Sequence, residues 1–214
     1  MLARRAQRSG RPRRLSIIVG TCAAVAVSIG VLLVLTGDGS GHGRACEPAT
    51  GPPNVRWKTF SNGLFGFKVD YCSAWNADYF EIDSSFSSSI AFFSTEHMTD
   101  PCDHGGMGVT ECSSVVPIGG LPPDGLVIWW VERSFPGVSD PLDLAPGKPT
   151  RIDALPAKIA VSPASEFCNG LGGAISVEAT IQTRIDYFTM SACIGAKNED
   201  LKYVLRALRG VALG

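Results

Sequence analysis

Hydrophobic and polar positions alternate strictly in several short stretches of this chain. In Leu64–Tyr71, Phe65, Phe67 and Val69 are separated by Gly66, Lys68 and Asp70. That period of two turns one face of a strand toward a core. Ser88–Ser94 and Gly125–Ser134 are β-branched and aromatic runs of strand length. Leu155–Ser162 reads as a further strand after the turn-like material of Ala145–Ala154, and Gly173–Cys193 as two strands joined near Gln182–Arg184. The pattern then changes period. Leu201, Val204, Leu205 and Leu208 recur at i, i+3, i+4 and i+7, which predicts an amphipathic helix. Asn198 is its candidate N-cap, Glu199 and Asp200 suit its positive end, and Arg206 and Arg209 suit its negative end. About six strands and one terminal helix predict an α+β domain, an antiparallel sheet with a helix packed on one face.

The N-terminus has a different pattern. Residues 1–14 carry six arginines and no acid, and Leu15–Thr36 carries no charge at all. Those twenty-two residues would rise about 33 Å as a helix, enough for a hydrocarbon core of about 30 Å. A cleavable signal peptide is the competing reading. The run exceeds the roughly 7–15 residues of its apolar region, however, and no A-x-A site follows. The expected organisation is therefore a basic cytoplasmic arm (1–14), a transmembrane helix (15–36), a Gly/Pro-rich linker (37–54) and an extracytoplasmic domain (55–214). Orientation follows from the arginines, which stay on the cytoplasmic side.

Charge sharpens that division. The whole chain has a formal net charge of −1, but all twenty acids lie after the span against thirteen basic residues, a net of −7 for residues 37–214. An acidic exterior argues against a nucleic-acid partner, whose affinity comes from phosphate neutralisation. The basic arm suits an anionic inner leaflet. Of seven cysteines, Cys22 lies in the span. The six outside, Cys46, Cys72, Cys102, Cys112, Cys168 and Cys193, are an even set facing an oxidising compartment. Three disulfides in any of fifteen connectivities are open to them.

Gly63–Trp75, GLFGFKVDYCSAW, resembles the opening strand of PsbP/Mog1-like domains, which often read G-F-x-F-x-Y-P-x-x-W. Gly66, Phe67, Tyr71 and Trp75 match, while Cys72 stands where proline is usual. The chain is also similar, over most of residues 57–210, to exported domains of high-GC Gram-positive bacteria. Those carry one cysteine pair before a G-x-V-x-W strand and a second pair around the last two strands. The first resemblance implies an α-β-α sandwich and a role in binding or assembly, with no common catalytic residue. The second implies Cys102 with Cys112 and Cys168 with Cys193, which leaves Cys46 to Cys72.

The most chemically loaded stretch is His97–Cys112, with two histidines, two methionines and two cysteines. A disulfide closing its glycine-rich loop would contribute about 3 kcal/mol. The spacing is not that of a structural zinc site. His97, Met98, His104 and Met107 remain as candidate copper or zinc ligands, although His97 and Met98 would point to opposite faces of a strand. No hydrolase motif occurs; Ser94, His97 and Asp100 would share one strand end and could not converge as a triad. Asp78, Glu81 and Asp83 read as a solvated face, with Tyr79 and Phe80 available to floor a sugar site. Trp129 and Trp130 point to opposite faces of one strand. One belongs to the core; the other, with Trp57, is a candidate anchor for an envelope protein or a cell-wall glycan. The loops Pro122–Gly125 and Ser134–Gly147 would rim that surface.

Together these features predict a single-span membrane protein with a non-catalytic, extracytoplasmic binding or assembly domain and no cofactor. The alternatives are an extracytoplasmic metal or small-ligand sensor, and a cell-envelope hydrolase without a recognised motif.

Overall fold

The computed structural model describes residues 57–104, 110–134 and 140–214. The basic arm, the apolar span Leu15–Thr36 and the linker all lie outside the described residues. Among the described residues no helix is long and apolar enough to cross a membrane.

In chain order the first strands are β1 (Trp57–Asn62), β2 (Phe67–Cys72), β3 (Asn76–Asp78), β4 (Asp83–Ser84) and β5 (Ser87–Ser94). The short pair β6 (Cys102–His104) and β7 (Thr110–Cys112) comes next, then β8 (Leu126–Arg133) and the one-turn helix α1 (Pro141–Leu144). β9 (Lys148–Ile152) and β10 (Leu155–Pro163) precede α2 (Glu166–Gly170). The chain ends with β11 (Ile175–Gln182), β12 (Tyr187–Ile194), α3 (Leu201–Arg209) and β13 (Ala212–Leu213). The large sheet has the order β3-β5-β8-β12-β11-β10-β9, with β4 also paired to β5. β1-β2-β13 form a second sheet and β6-β7 a third. Every pairing is antiparallel.

This overturns the expected α+β domain of one sheet of about six strands bearing a terminal helix. The described chain is mostly strand, thirteen strands in three sheets, and its helices are few and short. The physical reason is length. β3, β4, β6, β7 and β13 have two or three residues each, too few to display a period. β1 carries only Trp57 and Phe60 as large apolar side chains. β9 sits inside material that reads as a turn because of Gly147 and Pro149, yet an edge strand tolerates proline. The terminal helix begins later than its polar prelude suggests. Asp200 occupies the cap position without a side-chain cap bond, while Asn198 Oδ1 accepts from the Asp200 backbone N–H at 2.6 Å.

β9 and β10 are joined by a two-residue turn, Asp153–Ala154, with φ of 49° and 62°. Two consecutive left-handed residues define the turn that favours Asp-Gly. Asp153 does useful work there, since its Oδ2 accepts from Leu213 N at 2.8 Å and so ties β13 to the turn. Ala154 has no such compensation. Ala154→Gly is therefore expected to stabilise the domain by up to about 1 kcal/mol, read as a higher urea midpoint at unchanged slope.

The large sheet sends one face into the main core. Ile128 and Trp130 of β8, Met190 and Ala192 of β12, and Val177 and Ile181 of β11 pack there with Val204 and Leu208 of α3 and Phe67 and Val69 of β2. Aromatic rings lock the layers: Phe67 lies 5.1 Å from Trp130, and Phe60 meets Phe93 edge-on at 5.6 Å. A bulge in β5 leaves Ile90 without a cross-strand partner between Ser89 and Ala91. The extra residue lets Ile90 and Ala91 both enter the main core while Phe92 turns to the opposite face. That opposite face is covered at one end only, by a smaller cluster of Phe92, Met98, Val116, Ile118, Val127, Cys168 and Cys193. Beyond this cluster the described residues leave part of that face open as a groove.

Candidate functional site

Register defines the open face. Trp129 of β8 is level with Phe92 of β5 and with Ser191 of β12, and Ser191 is level with Glu178 of β11. The next outward-facing row runs Ser89, Val131, Thr189 and Thr180, and the row after it runs Ser87, Arg133, Tyr187 and Gln182. Strand alternation thus places one tryptophan, several hydroxyls, one guanidinium and one carboxylate on a common surface.

A groove of about 560 Å³ lies over this surface, within the range of small-molecule sites. Ile82, Asp83 and Ser84 form one wall, Val115 beside the β6–β7 hairpin forms another, and Ser165 and Phe167 of α2 close a third side. Phe167 meets the Trp129 ring at 5.6 Å and remains 41% exposed. A second cavity of about 290 Å³ continues along the sheet toward Tyr187 and shares Arg133, Glu178 and Ser191 with the first.

Several groove hydroxyls are already engaged. Ser89 Oγ donates to the Phe80 carbonyl, Ser84 and Ser87 share a 2.7 Å bond, and Ser165 Oγ accepts from Cys168 N as the cap of α2. Ser176 Oγ accepts from Ser165 N at 2.9 Å. Other groups are available. Arg133 lines the groove and donates through Nε to Thr189 Oγ1 at 3.3 Å, and its terminal nitrogens make no other bond among the described residues. The Ser191 hydroxyl and the Glu178 carboxylate make no side-chain hydrogen bond or ion pair among the described residues.

The sequence-derived candidates separate in space. Trp130 is buried in the main core, with 1% exposure. Trp57 packs on Tyr203 at 6.4 Å and beneath the Arg206 guanidinium at 4.3 Å, on the α3 side of the sheet. Trp129 alone reaches the groove. Neither Pro122–Gly125 nor Ser134 lines it. Met98 is buried in the smaller apolar cluster whereas His97 is exposed, so these neighbours face opposite environments. His104 belongs to β6 and Met107 lies outside the described residues. Among the described residues no three His, Cys, Asp or Glu side chains are grouped to hold a metal. The Ser94 hydroxyl is buried and donates to the Leu126 carbonyl at 2.9 Å, away from any role with His97 and Asp100. Asp78 and Glu81 are exposed, Tyr79 is half-buried, and Phe80 packs on Phe92 at 5.8 Å. Asp83 does line the groove. Its strand is four strand spacings from that of Glu178, about 19 Å of backbone, against the roughly 5–9.5 Å of a glycosidase pair.

Two disulfides join pairs of described residues, Cys102–Cys112 across the β6–β7 hairpin and Cys168–Cys193 between α2 and β12. Cys72 is buried and disulfide-bonded; the expected pairing with Cys46 lies outside the described residues. Ser191, Glu178 and Arg133 were not singled out from the sequence. The only signal was alternation within β8, β11 and β12, and it becomes a site only once their order is known.

A second polar cluster escaped the sequence reading. Trp75 Nε1 donates to Asp200 Oδ2 at 3.3 Å, while Asp200 Oδ1, the Tyr203 hydroxyl and Trp57 Nε1 are buried without a hydrogen-bond partner among the described residues. Burial raises the Asp200 carboxyl above its ordinary value of 3.8; Glu199 adds to this, and the Trp75 bond and Lys202 oppose it. Because the folded state holds the proton more tightly than the unfolded chain, Asp200 contributes stability below the ordinary carboxylate range. That contribution is lost as pH rises through the raised value. Thermal melts from about pH 4 to pH 7 are expected to show this decline in the wild type and a flatter profile in Asp200→Asn. An equally steep profile in the variant would remove Asp200 as its source.

No protein-family model matches the chain, and no curated protein sequence does. A crystal structure from Bacteroides thetaiotaomicron VPI-5482 is similar at a TM-score of 0.41 and 15% identity, covering 73% of this chain and 48% of that one. This chain thus spans about half of that protein's length, and a likeness this low carries no argument about fold or function.

Proposed function

We propose that the domain is a non-catalytic, extracytoplasmic binding module, held at the membrane by the apolar Leu15–Thr36 segment, whose ligand site is the groove over Trp129. The observation that carries this reading is the open half of an otherwise covered sheet face. A half-buried tryptophan lies at its floor, and Ser191, Glu178 and Arg133 present unused polar groups beside it. Large apolar side chains on a sheet face are normally covered, and a rimmed, open one marks an interaction site. The wide separation of Asp83 and Glu178 favours binding over hydrolysis. The disulfides suit an oxidising compartment.

Hydrogen exchange on the full chain in lipid nanodiscs, with and without a low-molecular-mass cell-envelope extract, tests the reading. Protection is expected in β8, β11 and β12, and Ser191→Trp, which fills the groove, is expected to abolish it. Absence of protection, or protection that survives Ser191→Trp, would overturn the assignment.

A further inference from the structure

The groove also constrains the chemistry of its ligand. Building on the binding role proposed above, we infer that the ligand is a linear, neutral glycan lying along β8 and β12. Three observations converge on this class.

The first is the mixture of polar groups. Arg133 offers only donors and Glu178 only acceptors, and both line the two contiguous cavities. A hydroxyl accepts from the first and donates to the second, so a polyol satisfies both ends without carrying charge. A hydrocarbon chain would cover both groups and satisfy neither. An anionic ligand would meet Asp83 and Glu178 as well as Arg133.

The second observation is the placement of aromatic rings. Trp129 and Tyr187 stand on the same sheet face, on adjacent strands and two rows apart, with Tyr187 level with Arg133. Strand geometry separates their backbones by about 14 Å. The electron-rich face of each ring attracts the C–H edge of a pyranose, while the sugar's hydroxyls project sideways. Ser191 and Glu178, which are level with Trp129, lie where such hydroxyls would point.

The third is shape. The second cavity prolongs the first along the strands and shares Arg133, Glu178 and Ser191 with it. A single ring would fill only part of that length, whereas a chain of rings would use both aromatic platforms.

The test is titration of the full chain in lipid nanodiscs with two probes, the β-1,4-linked hexamers of glucose and of N-acetylglucosamine, followed by tryptophan emission and calorimetry. At least one hexamer is expected to bind and change the emission. Trp129→Phe is expected to retain most of the affinity, while Trp129→Ala and Tyr187→Ala are each expected to weaken it about tenfold. Glu178→Gln should keep the urea midpoint of the wild type and still weaken binding. Failure of both hexamers to bind overturns the glycan assignment, as does binding that Trp129→Ala and Tyr187→Ala leave unchanged. Parallel titrations with octanoate and with a zwitterionic tripeptide separate the two failures. If either binds in a Trp129-dependent way while the hexamers do not, the ligand class is wrong and the groove reading stands. If neither binds and the extract gives no protection, both are wrong.

Discussion

Replacing Trp130 by alanine is expected to destabilise the domain by about 3–5 kcal/mol. Its ring is 1% exposed, lies 5.1 Å from Phe67 of the second sheet, and is flanked across the strands by Ala91 and Met190. Ala91 is too short to reach into so large a void and Met190 can fill only part of it, so a cavity term adds to the lost transfer energy. Against a typical stability of about 5–15 kcal/mol, a loss of this size takes up a large share of the total. Trp129→Ala, one residue away, is expected to cost only about 1–2 kcal/mol, because its ring is already partly in solvent. Urea unfolding followed by far-ultraviolet circular dichroism checks both. Equal losses for the two would mean that the groove face is as closed as the core.

Removing the Cys168–Cys193 disulfide by a double alanine substitution is expected to cost about 3–4 kcal/mol. The bond closes a span of 25 residues and both cysteines are buried. Alanine is preferred to serine because a buried hydroxyl without a partner would add its own penalty. The effect should reach the groove as well. The bridge pins α2 to β12, and α2 supplies Ser165 and Phe167 to the groove wall. Hydrogen exchange is therefore expected to rise first in Ser165–Gly170, and ligand affinity to fall under conditions where the remaining sheet stays folded. The Cys102–Cys112 bridge spans only 10 residues, and its loss is expected to cost about 3 kcal/mol with exchange confined to the β6–β7 hairpin. A uniform rise across the sheet in the Cys168/Cys193 variant would show that α2 is not a separable wall.

Strands long enough to show two or three alternations were legible from the residues alone. β2 and β11 carry that alternation, β5, β8, β10 and β12 read as strands from run length, composition and flanking turns, and α3 carries the pattern of a helix. The two- and three-residue strands were not legible, since hydrogen bonding to a neighbour, and no side-chain period, defines them. The β6–β7 pair accounts for the third sheet, while the second rests on the six-residue β1 and β2, which pair with each other and not with the large sheet. The site divides in the same way. Adjacent tryptophans in a strand must face opposite sides, so the sequence dictates that Trp129 and Trp130 part company. Which of them meets the core depends on where α3 and β1-β2-β13 pack.

Local chemistry therefore determines the strand faces, the terminal helix, the acidic balance after the apolar segment and the even cysteine set. Only the tertiary structure decides that Ser191 and Glu178, separated by thirteen positions in the chain, lie side by side next to Trp129. Strand order is a long-range property, set by which pairing buries the most apolar surface across the whole domain, and no local stretch of residues contains it.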